Sequence, residues 1–152
     1  MKKVIPFFLM LLFLTGCNNV MNTPTKEVEE FLGKYQTMDE KVMEQLDKVL
    51  ETDHTMTDTQ KEEYKSLMKK QYQNLSYKIK EETIDGEHAS IVVELEVYDF
   101  HKAMEEADEY LKTNGSEFVK EDGSTDEEKF MDYNISKMKE QKEKVTYTIT
   151  FT

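Results

Sequence analysis

The spacing of apolar positions changes several times along this chain, and each change predicts a new element. Val28, Phe31, Leu32 and Tyr35 recur at i, i+3, i+4 and i+7, the stripe of an amphipathic helix. Thr23 followed by Pro24 supplies an N-cap with Pro at the first helical position. A second helix is expected from about Asp39, with Val42, Leu46, Val49 and Leu50 turned inward, until "ETDHTMTDTQ" interrupts it. Thr57-x-x-Gln60 is a capping box, and behind it Tyr64, Leu67, Met68 and Tyr72 form a third stripe. Because a sheet pattern follows directly, these stripes read as faces that pack on the sheet.

From Leu75 the period becomes two. Leu75, Tyr77 and Ile79 share one face, and Ala89, Ile91, Val93, Leu95 and Val97 another, with Ser90, Glu94, Glu96 and Tyr98 opposite. Val92 is an apolar residue on the polar side. Asp85-Gly86 between the two runs predicts a tight type I′ hairpin. One apolar and one polar face predict an antiparallel sheet covered on a single side. Asp99 then caps a fourth helix through Phe100, Ala103, Met104, Ala107 and Leu111, which Asn114-Gly115 should end by a left-handed residue. After the loop "SEFVKEDGSTDEEKF", Ser124-x-x-Glu127 suggests a capping box for a fifth helix. It should run to about Lys142 and carry Phe130, Met131, Ile135 and Met138. "KVTYTITFT" closes the chain as a strand with Val145, Tyr147, Ile149 and Phe151 on one face. The expected fold class is α+β, in one domain spanning 24–152.

The first residues follow another pattern. Lys2 and Lys3 precede an apolar run, Val4 to Leu14, that gives way to polarity at Asn18. That is a secretory signal, and it is shorter than the roughly 20 apolar residues of a membrane span. It ends at Cys17, the only cysteine, so the chain can form neither an intramolecular disulfide nor a thiolate metal cluster. Leu14-Thr15-Gly16-Cys17 resembles the lipobox of bacterial lipoproteins. The resemblance implies cleavage before Cys17, a diacylglyceryl thioether on its sulfur and palmitoyl-type acylation of the new amino terminus. Residues 1–16 are then a lipoprotein signal peptide and 17–23 a lipidated tether. The domain is expected on the extracytoplasmic face of the cell membrane, anchored through Cys17. Two or three acyl chains make such an anchor lasting, whereas one is marginal.

Charge narrows the partners. Without the signal, 18 lysines face 32 acidic residues, a net of −14, and no arginine occurs. Such a chain lacks the clustered cations that neutralise phosphates, so nucleic acid is excluded as a partner. The all-lysine usage is common in low-GC Gram-positive bacteria. His54, His88 and His101 are scattered and show no metal-ligand spacing. Aligning Gly123 with the sixth position of a calcium-binding EF-hand loop puts Phe118 first and Lys129 twelfth, where acidic ligands belong. Asp122, Asp126 and Glu127 remain at most a casual divalent site. The chain has five glycines and none of the phosphate-binding or nucleophile-elbow motifs. No catalytic residue, cofactor or metal is assigned.

The order of elements carries a further resemblance. "TPTKEVEEFL" and "YKIKEETIDGEHASIVVELEVYDF" resemble lipoproteins of the nuclear-transport-factor-2-like, cystatin-like superfamily. That resemblance implies N-terminal helices on a curved, cone-like antiparallel sheet enclosing a pocket. It also implies a closing Trp-containing hairpin. This chain has no Trp and stops inside a strand pattern, so the last strands are expected to be missing. The superfamily holds both enzymes and binding modules, so fold does not decide between them. The expected function is a non-enzymatic binding or interaction domain for a protein, a peptide or an apolar small molecule. The alternative is a small pocket-bearing enzyme. A deep pocket with converging Tyr98, His88 or Glu94 would favour the enzyme, and a cone filled by Phe31, Tyr64 and Leu95 the binding role.

Overall fold

A computed structural model describes residues 23–152. The signal segment, Cys17 and all of the tether before Thr23 lie outside the described residues. The order is α1 (Pro24–Gln36), α2 (Glu40–Thr52), α3 (Asp58–Gln73), β1 (Ser76–Asp85), β2 (His88–Tyr98), α4 (Phe100–Asn114), a 3-10 turn (Gly115–Phe118), α5 (Glu127–Glu140) and β3 (Lys144–Phe151). The domain is α+β, with a three-stranded antiparallel sheet in the order β1-β2-β3.

The helix starts follow from side-chain oxygens that accept orphaned backbone N–H groups. Thr23 accepts from Lys26, Asp39 from Lys41 and Asp99 from Lys102, and Thr57 with Gln60 completes the capping box. At α5 the expected box does not form. Asp126 is the N-cap and accepts from Lys129, while Ser124 turns its own N–H and hydroxyl to Asp122. The carboxylate two residues nearer the helix takes the cap, and Ser124 is spent on the preceding turn. Gly115 also departs from expectation. Its φ is −52°, and the chain tightens into the 3-10 turn instead of reversing through a left-handed residue.

The hairpin register is the one the alternation predicts. Ser76 faces Glu96 and Asp85 faces His88, with an irregularity between Ile79 and Glu81. Ile91, Val93, Leu95 and Val97 are 2, 0, 1 and 5% exposed, whereas Glu96 is exposed and Glu94 half-buried. A one-residue slip would bring that set to solvent, at about 1.5–3 kcal/mol for each large side chain. Val92 is half-buried. The turn itself is not type I′. Gly86 has φ +63°, while Glu87, the second of the two loop residues, does not share the positive φ. Positive φ at the first central residue alone is the type II′ pattern. β3 pairs with β2 from Ile91–Phe151 to Tyr98–Lys144 and forms one edge of the sheet.

The packing corrects one expectation. The helical stripes do not all lie on the sheet. Among the described helices, α1 alone packs substantially against the strands. Its Val28 and Leu32 join Leu75, Ile91, Val93, Leu95, Val97 and Phe151 in a first core, flanked by Phe31 and Tyr35. Leu46 and Leu67, expected on the sheet, instead join Leu50, Met68, Phe100, Ala103, Ile135 and Met138 in a second core made by α2 to α5. Val49, expected inside, is 44% exposed. The distal half of β1, from Lys80, is exposed, so the hairpin reaches beyond the first core.

Glutamines tie these parts together. Gln71 accepts from the Tyr98 N–H (2.9 Å) and donates to the Tyr98 carbonyl (3.0 Å), acting as a short strand partner at the end of β2. Gln141 donates to the Asp99 carbonyl (3.0 Å), and Gln36 to the Leu75 carbonyl (3.0 Å). The Asp99 N–H donates to the Glu143 carbonyl at 3.0 Å. Gln60, 2% exposed, donates to the Glu128 carbonyl (2.9 Å) and the Asp132 carboxylate (2.6 Å), joining α3 to α5. Each bond removes a backbone or side-chain group from the unsatisfied ledger where elements meet.

Candidate functional site

Three residues define the pocket test posed above. His88 opens β2 and Tyr98 ends it, ten residues along one strand and therefore about 33 Å apart. Glu94, on the open face, pairs with Lys80 at 3.1 Å. The Tyr98 ring stacks on Phe100 at 6.1 Å, with the Lys70 and Lys144 ammonium groups 4.9 and 5.6 Å from its centroid. These three residues do not converge. Of the residues expected to fill a cone, Phe31 flanks the first core and Leu95 is inside it, while Tyr64 flanks the second.

The strongest perturbed group is a phenol. Tyr35 and Tyr72 meet edge to face at 5.1 Å where α1 and α3 join the two cores. Burial, then the neighbouring phenols Tyr35 and Tyr64, pushes the Tyr72 hydroxyl up to about 12. Burial likewise raises Tyr35 and Tyr64, the latter also through Asp53. These shifts favour the uncharged phenols and carry their titration further above pH 7, so the cluster stays protonated there and works as packing, not as a proton relay.

The remaining candidates are surface groups. His54, His88 and His101 are exposed, and His101 approaches Glu105 at 3.3 Å. Asp122 is held below the usual carboxylate range by the hydroxyl and N–H of Ser124. Asp126 caps α5, and Glu127 lies in that helix's first turn. Among the described residues no group of three or more His, Cys, Asp or Glu is placed to hold a metal ion. A shallow hollow of about 250 Å³ between α4 and α5 is lined by Lys102, Ala103, Glu106, Lys137, Glu140, Gln141 and Glu143. The Lys102–Glu143 pair at 2.6 Å spans it, and that bond raises the lysine and lowers the carboxyl. The hollow is charged and open, unlike the apolar concavities that hold small molecules. No helix among the described residues is long and apolar enough to cross a membrane.

The inter-element glutamines Gln36, Gln71 and Gln141 belong to no local motif. A signal was present for one of them. Gln71 sits four residues after Leu67 and seven after Tyr64, a polar residue on an apolar stripe. Such a residue needs a partner.

Comparison with protein-family models, with curated proteins and with solved structures finds no match for this chain.

Proposed function

We propose that this chain is a lipoprotein held on the extracytoplasmic face of the cell membrane through Cys17, and that its α+β domain acts by binding rather than by catalysis. The partner class is a protein, a peptide or an apolar small molecule. The observation that carries the reading is Leu14-Thr15-Gly16-Cys17 at the end of a short apolar run, with the single cysteine of the chain at the lipid-accepting position. Its resemblance to a lipobox is specific in both residue type and place. Thr23, six residues later, caps the first described helix, so a short polar stretch of sequence joins it to Cys17. The separation of His88, Glu94 and Tyr98 weighs against the pocket-bearing enzyme. The nuclear-transport-factor-2-like relationship is part of this proposal, and the predicted hairpin register supports it. Growth with a clickable fatty acid tests the anchor. The protein should carry label and partition with detergent, and Cys17→Ser should carry no label and be either uncleaved or freely secreted. Label retained by Cys17→Ser would contradict the reading.

A further inference from the structure

We infer that the domain stands on the bilayer with the β1–β2 hairpin toward the lipid headgroups and the end formed by Tyr98, Lys142 and the second core away from them. This orientation rests on the anchoring reading above and adds to it which face of the molecule meets the membrane and which faces partners.

α1 lies antiparallel to β1 and is pinned at both ends. The Thr25 hydroxyl donates to the Glu82 carboxylate near the hairpin, and Gln36 donates to the Leu75 carbonyl at the opposite end. Thr23, where the tether enters, is therefore level with Glu82. From Cys17 to Thr23 six residue steps reach at most about 20 Å. The hairpin continues past Glu82 through Thr83, Ile84 and Asp85 to the Gly86 turn, roughly 10 Å further. With the hairpin down, the tip fits inside the reach of the tether.

The inverted orientation does not fit. α1 has 13 residues, about 20 Å of helix, so its N-terminus would stand at least that far above a membrane lying at the Gln36 end. The tether would be fully extended before any of α2 to α5, which gather around that end, had found room. A short tether entering at one end of a long element thus selects the orientation.

Charge adds that the tether, and not attraction, brings the tip close. Glu81, Glu82, Asp85 and Glu87 crowd the exposed hairpin against Lys80 and His88. An anionic surface repels such a tip, and salt screens that repulsion. The hairpin then acts as a stand-off near the headgroups, and the helical end is presented outward.

The chain has no cysteine besides Cys17, whose sulfur the lipid occupies, so one added cysteine gives one labelled position. Glu87→Cys at the turn and Lys142→Cys in the exposed α5–β3 connection mark the two ends, about 30 Å apart along the strands. Each full-length lipidated variant is labelled with a fluorophore and placed in phosphatidylcholine vesicles containing a headgroup-nitroxide lipid. Flotation with the vesicles is scored alongside. Quenching should be at least threefold stronger at position 87 than at 142. It should weaken at 87 when 12 Gly/Ser residues are inserted between Asn22 and Thr23, or when anionic lipid replaces part of the phosphatidylcholine at low salt. Flotation with equal quenching, or with stronger quenching at 142, overturns the orientation while leaving the anchor intact. Failure of both proteins to float overturns the anchor and this inference together.

Discussion

Replacing Gln60 tests whether the second core depends on a buried polar tie. Gln60 is 2% exposed; its Oε1 accepts from the Thr57 N–H at 3.0 Å, and its Nε2 donates to the Glu128 carbonyl and the Asp132 carboxylate. In Gln60→Ala two neutral bonds are lost at about 1 kcal/mol each, and one to a carboxylate at about 1.5–3 kcal/mol. Glu128 and Asp132 are exposed residues and regain water, so the lower half of that sum applies. The expected destabilisation is about 3.5–4 kcal/mol, a large share of the stability of a small domain. Gln60→Glu separates capping from tying. It keeps an acceptor for Thr57, loses both donors and sets a buried carboxylate beside Asp132. It should therefore be worse than Ala at pH 7 and recover as acid neutralises it. Urea unfolding, fitted with a common slope, measures both. A loss below 1 kcal/mol for Gln60→Ala, or a Gln60→Glu as stable as the parent at pH 7, would refute the reasoning.

Tyr72 gives a pH prediction. Its folded pKa, about 12, lies above the ordinary value of 10. The unfolded chain therefore loses its proton first, and stability present below pH 10 is lost as pH rises toward 12. Urea midpoints between pH 9 and 11 should fall less steeply in Tyr72→Phe than in the parent. Gly86→Val should destabilise by about 1–2 kcal/mol in the same assay, because φ +63° excludes a side chain although no atom lies within 4 Å of a Cβ there. Asp126→Ala should cost about 1 kcal/mol as a lost N-cap, and Ser124→Ala clearly less. Val49→Glu should change the thermal midpoint little, since surface substitutions stay within about 0.5 kcal/mol.

The parts legible in the sequence are those in which one local rule acts without competition. Val93 and Leu95 against Glu94 and Glu96 fix a face by alternation alone, and a slip would expose every apolar member of β2. Thr23 and Thr57 have cap-competent neighbours, but Pro24 at the first helical position and Gln60 three residues on mark them out. Where two side chains compete, the nearer wins, as Asp126 does over Ser124 at α5. What the pattern could not supply is the assignment of stripes to partners. Leu46 and Leu67 have the spacing of Val28 and Leu32, and period alone does not say whether a stripe meets a sheet or another helix. The glutamine ties were hidden for a related reason. Gln36, Gln71 and Gln141 reach backbone groups 27 to 42 residues away, and those distances exist only after packing. For a site the sequence offers only the proposed lipid acceptor Cys17, which is read from four adjacent residues and lies outside the described fold.

The most direct measurement is the intact mass and N-terminal fragmentation of the protein purified from bacterial membranes. The account predicts a chain that begins at Cys17, with diacylglycerol on the sulfur and no trace of residues 1–16. A membrane-extracted chain that begins elsewhere, or that begins at Cys17 with a free thiol, would contradict it.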